Sequence, residues 1–220
     1  LLYPGLWATK SAPNLSYRVM PKCACSSIGQ IFHYLDNGTF HDGDVHRAEA
    51  KILKWNRGWD NTAVEAVLAR DTYRFTLVRN PYRRVLSAFV DKIFGYQSNG
   101  KRYRDGEIHA LLQQRGLIWG PKSSILINFR KFLVFAAETI ARNTPMPPDV
   151  HWSPCFSHLK FTYRKSGEGW LPQYIGHIET FAEDTKAVFA AAGVDPARLP
   201  TKVPRENSTS LGEIDYPDFY

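Results

Sequence analysis

Lys22, Ser26 and Ser27 fall close together in the stretch YRVMPKCACSSIGQIFHYL, residues 17–35, and a lysine with two hydroxyls is a set suited to holding a phosphate. The β-prone run 17–20 stops at Pro21, and Ile28, Ile31, Phe32 and Leu35 then recur at helical spacing. The loop between strand and helix is therefore Lys22, Cys23, Ala24, Cys25, Ser26 and Ser27. Ser26 and Ser27 are expected to cap the helix, and its first N–H groups and positive dipole end would face an anion in the loop. Lys22 leaves the strand instead of entering the helix, so the stretch lacks the GxxxxGK[ST] of nucleotide triphosphatases. A lysine so placed could stabilise a departing phosphate. An ordinary capped helix with no ligand is the competing reading. Asn37-Gly38 supplies the left-handed residue with which such a helix ends.

A second strand and helix follow. YRFTLVR is a strand ending in Arg79, Asn80 can cap, Pro81 suits the first helical turn, and Val85, Leu86, Phe89, Val90 and Ile93 form a buried stripe. Arg79 then stands at the carboxyl end of a strand, where ligands gather in open α/β sheets, and Ser87 could join it on a second phosphate.

PKCACSS at 21–27, followed by LVRNPYRRVLSAFVDKI at 77–93, resembles the two donor-binding motifs of the carbohydrate sulfotransferases of the chondroitin and HNK-1 type. HWSPCFSH at 151–158 and YIGHIETFAEDTKAVF at 174–189 are similar to two later segments of that family. The resemblance covers residues 17–192. It implies a PAPS-dependent enzyme (PAPS, 3′-phosphoadenosine 5′-phosphosulfate), with the first motif on the 5′-phosphosulfate, the second on the 3′-phosphate, and PAP, the 3′,5′-bisphosphate, as product. Asn80 stands where the family usually has an acid, and Cys23 and Cys25 fill a loop where small residues are common. Both changes bear on donor affinity.

Sulfuryl transfer requires the acceptor and leaving oxygens in line through sulfur, with the developing negative charge stabilised. Lys22 is the expected group on the leaving side. A neutral histidine suits removal of the acceptor's proton, and the candidates are His46, between the donor motifs as in some glycan sulfotransferases, and His151, in the HWxP segment. The balance leans to His46, with His151 positioning acceptor or sulfate. Sugars stack on aromatic faces, so Trp152 is a candidate acceptor contact, with Trp55, Trp59, Trp119 and Trp170 beside it. One of Arg83 and Arg84 would bind acidic acceptor groups, and the other would pair on the surface.

These residues need an α/β framework: a mostly parallel sheet of the P-loop nucleotide-kinase kind, flanked by helices. At 220 residues, 44% hydrophobic, the chain is read as a single sulfotransferase domain, 1–220, with 1–16 as a surface arm, 17–192 as the core and 193–220 as an extension. Further helices are expected at 61–70, at 124–141 with Ile127 on the buried face, and from a Thr180–Glu183 capping box to Gly193; 173–177 reads as a strand. His41, Lys51 and the basic run 96–104 are further groups within reach of a substrate. Arg205 and Ser208 could close over the donor.

The net charge of +7 favours anionic partners, here a carbohydrate acceptor of anionic type. Charge and aromatics would also allow a nucleic-acid binding module, but no such motif is present, and nucleic acid is not an expected partner. A kinase using ATP would need a Walker lysine and an acidic metal ligand. Cys23, Cys25, His151, Cys155 and His158 match zinc spacing poorly, so no metal is expected. Three cysteines make no disulfide framework. No apolar run spans a bilayer and the first residues are not a signal peptide, which fits a cytoplasmic bacterial enzyme or a Golgi enzyme trimmed of its anchor.

Overall fold

The computed structural model of the chain describes residues 5–47, 52–55, 62, 72–94, 107–118, 124–144, 146–159, 161–162 and 169–204. Most of the expected helix at 61–70, the basic run 96–104, Lys51, Trp59, Trp119, Arg205 and Ser208 lie outside the described residues. The chain divides into two compact units, one of Leu2–Arg79 with Cys155–Asn207, the other of Asn80–Pro154 with Leu1 and Ser208–Tyr220.

The first unit is built on a five-stranded open sheet. Its strands β1 (Leu6–Ala8), β2 (Leu15–Arg18), β3 (Leu53–Trp55), β4 (Tyr73–Val78) and β7 (Tyr174–His177) lie in the order β3-β1-β2-β4-β7. β2, β4 and β7 are parallel, with Arg18 opposite Thr76 and Val78 opposite His177. β1 runs antiparallel to both β2 and β3. The expected parallel sheet is thus parallel only on one side of β2. The reason is local: the connection from Ala8 to Leu15 is too short for a crossover and must turn back.

Residues 6–8, expected in a surface arm, are instead an inner strand, with Leu6 and Ala8 fully buried. Asp36 of helix α1 (Cys25–Asn37) fastens the turn after them, accepting from Thr9 Oγ1 at 2.5 Å and Ser11 N–H at 2.8 Å.

Strand alternation gives the sheet two different faces. Leu15, Tyr17, Phe75 and Leu77 pack with Ile28, Phe32, Val188 and Phe189 of α1 and α6 (Phe181–Ala191). The rings of Phe32 and Phe189 meet edge-on, 6.2 Å between centroids. The opposite face is polar and buried: Trp170 Nε1 of β6 (Gly169–Trp170) donates to Ser16 Oγ at 2.9 Å, and Arg18 Nε donates to the His158 carbonyl of α5 (Phe156–Leu159) at 2.9 Å. Burial lowers Arg18 to a pKa of about 10. β6 pairs with the two residues of β5 (Phe161–Thr162).

The second unit is helical. Asn80 caps α2 (Pro81–Ala88), accepting from the N–H groups of Tyr82 and Arg83, and the helix continues as a π-helix over Phe89–Phe94. α3 (Glu107–Gln114) and α4 (Ile125–Ile140, capped by Ser124) supply the other walls. Leu86, Phe89, Ile93, Leu112, Phe129, Phe132, Phe135 and Trp152 form its core. A fully buried Phe is worth roughly 1.5–3 kcal/mol against leaving it in water. Ile127, expected on the buried face of α4, is instead exposed, and Phe129 takes the inward position.

Candidate functional site

In the first unit the chain leaves β2 through a tight turn in which Cys23 N–H donates to Met20 O at 3.1 Å. Pro21 and Lys22 are its central residues, and Lys22 has a φ of 66°. A left-handed third residue is the mark of a type II turn and normally a glycine's place; an ordinary residue there is strained by about 1–2 kcal/mol. Ala24 is left-handed as well, with φ 59° and ψ 26°, and is the N-cap of α1 without any side-chain bond. The serines therefore do not cap the helix as expected. They sit half-buried in its first turn, and Ala24 O receives the first helical bond, from Ile28 N–H at 3.1 Å. Strained left-handed residues leading into a helix are the backbone form of an anion-binding nest. Cys23 contributes no donor to it, because its N–H closes the turn and its side chain is fully buried.

Charge gathers around this turn. β2 and β4 are parallel, so Arg79, next after β4, comes to the same carboxyl edge, and its Nη1 reaches the Lys22 carbonyl at 3.5 Å. His46 lies over the first turn of α1, with Nε2 3.2 Å from Ser26 Oγ and 3.6 Å from Cys25 Sγ. Burial pushes the Cys25 thiol up, while the Lys22 ammonium pulls it down. Burial also holds the phenol of Tyr17, beneath the loop, well above its ordinary value, so it stays neutral.

His46 is held by residues with no motif to advertise them. Its ring lies 5.2 Å from that of buried Trp7, and its backbone N–H donates to Asp44 Oδ1 at 2.9 Å. Lys54 Nζ sits 5.8 Å from the Trp7 ring and donates to the Arg47 carbonyl. Gln30, buried in α1, brackets His41 by donating to its carbonyl at 3.0 Å and accepting from its N–H at 2.8 Å. Gly29 lets the segment approach, since a Cβ there would meet Val45 Cγ2 at 2.8 Å and Trp7 Cζ3 at 2.9 Å. His33 is structural, its Nδ1 donating to Thr39 O at 2.8 Å.

Of the remaining expected residues, Ser87, Arg83, Arg84, His151 and Trp152 belong to the second unit and Trp170 to the first. Ser87 is half-buried on α2 and Arg83 is exposed. Arg84 is neither a surface pair nor an open acceptor contact. It is buried, and its guanidinium donates to Ser153 O at 2.6 Å and Val150 O at 2.9 Å. Trp152 offers no face to a sugar, because its ring packs edge-on to Phe132 at 5.3 Å and its Nε1 donates to Thr139 Oγ1 at 3.2 Å. Trp170, buried against Ser16, is unavailable for the same reason. Between Arg84 and Trp152 the turn holds up His151, whose Nδ1 lies 2.5 Å from Asp149 Oδ1.

The three cysteines are unbridged. Among the described residues no three His, Cys, Asp or Glu side chains are grouped to hold a metal ion, and no helix is long and apolar enough to cross a membrane.

A family model described as the sulfotransferase family matches the chain over residues 7–214. No curated protein and no solved structure matches the chain significantly.

Proposed function

Because the chain belongs to the sulfotransferase family, we propose that it transfers the sulfuryl group of PAPS to a carbohydrate hydroxyl. The observation that carries this reading is the strained, lysine-bearing turn opening into α1, joined to Arg79 across the parallel β2–β4 pair. Its chemistry fits a phosphosulfate: the first-turn N–H groups of a helix have no acceptor within it, and the dipole and Lys22 add positive charge. The strand-turn-helix is P-loop-like in this reading, although its lysine stands at the turn.

PAPS supplies an activated sulfuryl group on a good leaving phosphate. Lys22 holds the oxygen from which sulfur departs, with Ala24, Cys25, Ser26 and Ser27 around the 5′-phosphosulfate. Arg79 and Ser87 bind the 3′-phosphate, which separates this donor from ATP. A histidine takes the acceptor's proton, His46 or His151. Arg83, exposed on α2, is the guanidinium we retain for an acidic acceptor. The acceptor is an anionic glycan, no metal is needed in this scheme, and the whole of 1–220 works as one sulfotransferase domain.

The test is calorimetric titration with PAP beside adenosine monophosphate and ATP with magnesium. Wild-type protein should prefer PAP clearly, and Arg79→Ala and Ser87→Ala should each lose that preference. A preference for ATP with magnesium would overturn the reading in favour of a kinase.

A further inference from the structure

Helix α4 is apolar on two opposite sides. Inward it gives Phe129, Phe132, Phe135 and Ala136 to the core of the helical unit. Outward, Ile127, Arg130, Val134 and Ala137, with Ala141 at the C-cap, follow one another at steps of three and four residues, and all five are exposed. Such steps keep side chains on one face and are those of a seam between packed helices. Ile127 is 53% and Val134 57% exposed, with Ile140 beside them at 41%. A surface helix turns charged and polar residues to water on its outer side, whereas a helix apolar all round is one covered on both. A single exposed aliphatic residue means little, but a row of them marks a contact.

The same row says what covers it. It runs from 127 to 141 with Val134 in the middle, so a second α4 turned end for end about Val134 lays the whole row on itself. Ile127 then meets Ala141, Val134 meets Val134, and Arg130, the one charge in the row, comes level with Glu138 of the second copy. Arg130 is exposed and has no ion pair among the described residues. The Glu138 side chain is 35% exposed, and both of its contacts with Arg115, at 2.7 Å and 2.5 Å, fall on Oε2, which leaves Oε1 for a second guanidinium. A parallel pair would instead set Arg130 against Arg130, and like charges across a contact repel. A face that fits itself under a two-fold turn is what an isologous dimer requires.

We propose that the outer face of α4 is a docking surface for a second copy of this chain, the two helices packing antiparallel about Val134 with Arg130 of each beside Glu138 of the other. At about 1.5 Å per residue the row is roughly 21 Å long. Contacts at the small end of the range belong to transient complexes, so this dimer is reversible and depends on concentration.

Sedimentation equilibrium of the wild-type chain between about 1 and 500 µM should show the 25.1 kDa monomer giving way to a dimer. Val134→Asp, on the exposed side of the helix, should abolish the dimer. Arg130→Glu, which sets acid against acid, should weaken it by about tenfold or more. Circular dichroism of both variants should match wild type. Direction is read by disulfide trapping under mild oxidation, against the background of the three native, unbridged cysteines. Val134→Cys should link to itself, whereas Ile127→Cys should link to Ala141→Cys in a mixture and not to itself. A chain that stays monomeric over the whole range would overturn the proposal and assign the face to a different partner or to none. A dimer left intact in Val134→Asp, or Ile127→Cys linking to itself as readily as Val134→Cys, would overturn it as well.

Discussion

In the proposed reaction Lys22 would meet two demands at one position: a positive charge where the phosphate leaves and a backbone at φ 66°, which suits glycine better. Selection for stability alone would not keep a lysine there. Exchanging Lys22 for glycine relieves about 1–2 kcal/mol of left-handed strain, offset by the greater freedom of an unfolded glycine, about 0.4–1 kcal/mol. Lys22→Ala keeps the strain and loses the charge. The expected outcome is that Lys22→Gly melts above Lys22→Ala and at or slightly above wild type, while neither variant turns over. Thermal melts beside a sulfate-transfer assay check this, and near-normal turnover in either variant would remove Lys22 from the mechanism. Cys25, the first residue of α1, shows why residue type alone misleads. Its position at a helix N-terminus beside a lysine suggests a reactive thiol, yet burial is the larger influence and keeps it protonated.

Elements obey sequence rules where the rules are local. Gly38 ends α1 in the left-handed conformation, its N–H bonding Tyr34 O, and Asn80-Pro81 and Ser124 start α2 and α4 as their types foretell. The expected strand near 173–177 is β7. Misreadings occur where a distant partner decides. Trp152 and Arg84 look like surface recognition groups until Thr139, the Phe cluster and the 150–153 carbonyls are brought to them by folding. Leu6–Ala8 looks like an arm because three residues carry no periodicity, yet pairing with both β2 and β3 makes them an inner strand. The Thr180–Glu183 capping box does not form: Thr180 Oγ1 donates to Asp184 Oδ2 at 2.6 Å. Asp184 also accepts from Tyr174 Oη at 2.5 Å and His177 N–H at 2.7 Å, tying β7 to α6. Burial pushes its carboxyl up, but the bonds from Thr180, Tyr174 and His177 outweigh this and hold it below the ordinary carboxylate value. A depressed folded value means that the stabilisation is present above the unfolded value and is lost as pH falls through the folded one. Melting temperature should therefore fall more steeply below about pH 4 in wild type than in Asp184→Asn. Parallel acid profiles would show that Asp184 contributes nothing of the kind.

At the scale of the whole molecule the family match runs from residue 7 to 214 through both compact units, so both units belong to what the family holds in common. Family membership supports sulfuryl transfer in general and leaves the acceptor open. Net charge is the one global property that bears on the acceptor. A surplus of 28 Lys and Arg over 21 Asp and Glu attracts anions over roughly a Debye length, about 10 Å at 0.1 M salt. The proposed donor, PAPS, is itself anionic, so salt should weaken its binding for every acceptor, and only a comparison at saturating PAPS would isolate the acceptor's share. Under that condition KM for a uronic-acid-bearing polysaccharide should rise severalfold between 50 mM and 300 mM salt, as screening shortens the field's reach. KM for a neutral oligosaccharide should hardly move. Arg83→Ala, exposed and outside the donor loop, should flatten the polysaccharide's salt response and leave the neutral sugar unchanged. Equal salt responses from the two acceptors would mean that the positive surplus faces the donor alone and that the glycan is recognised by shape and uncharged hydrogen bonds.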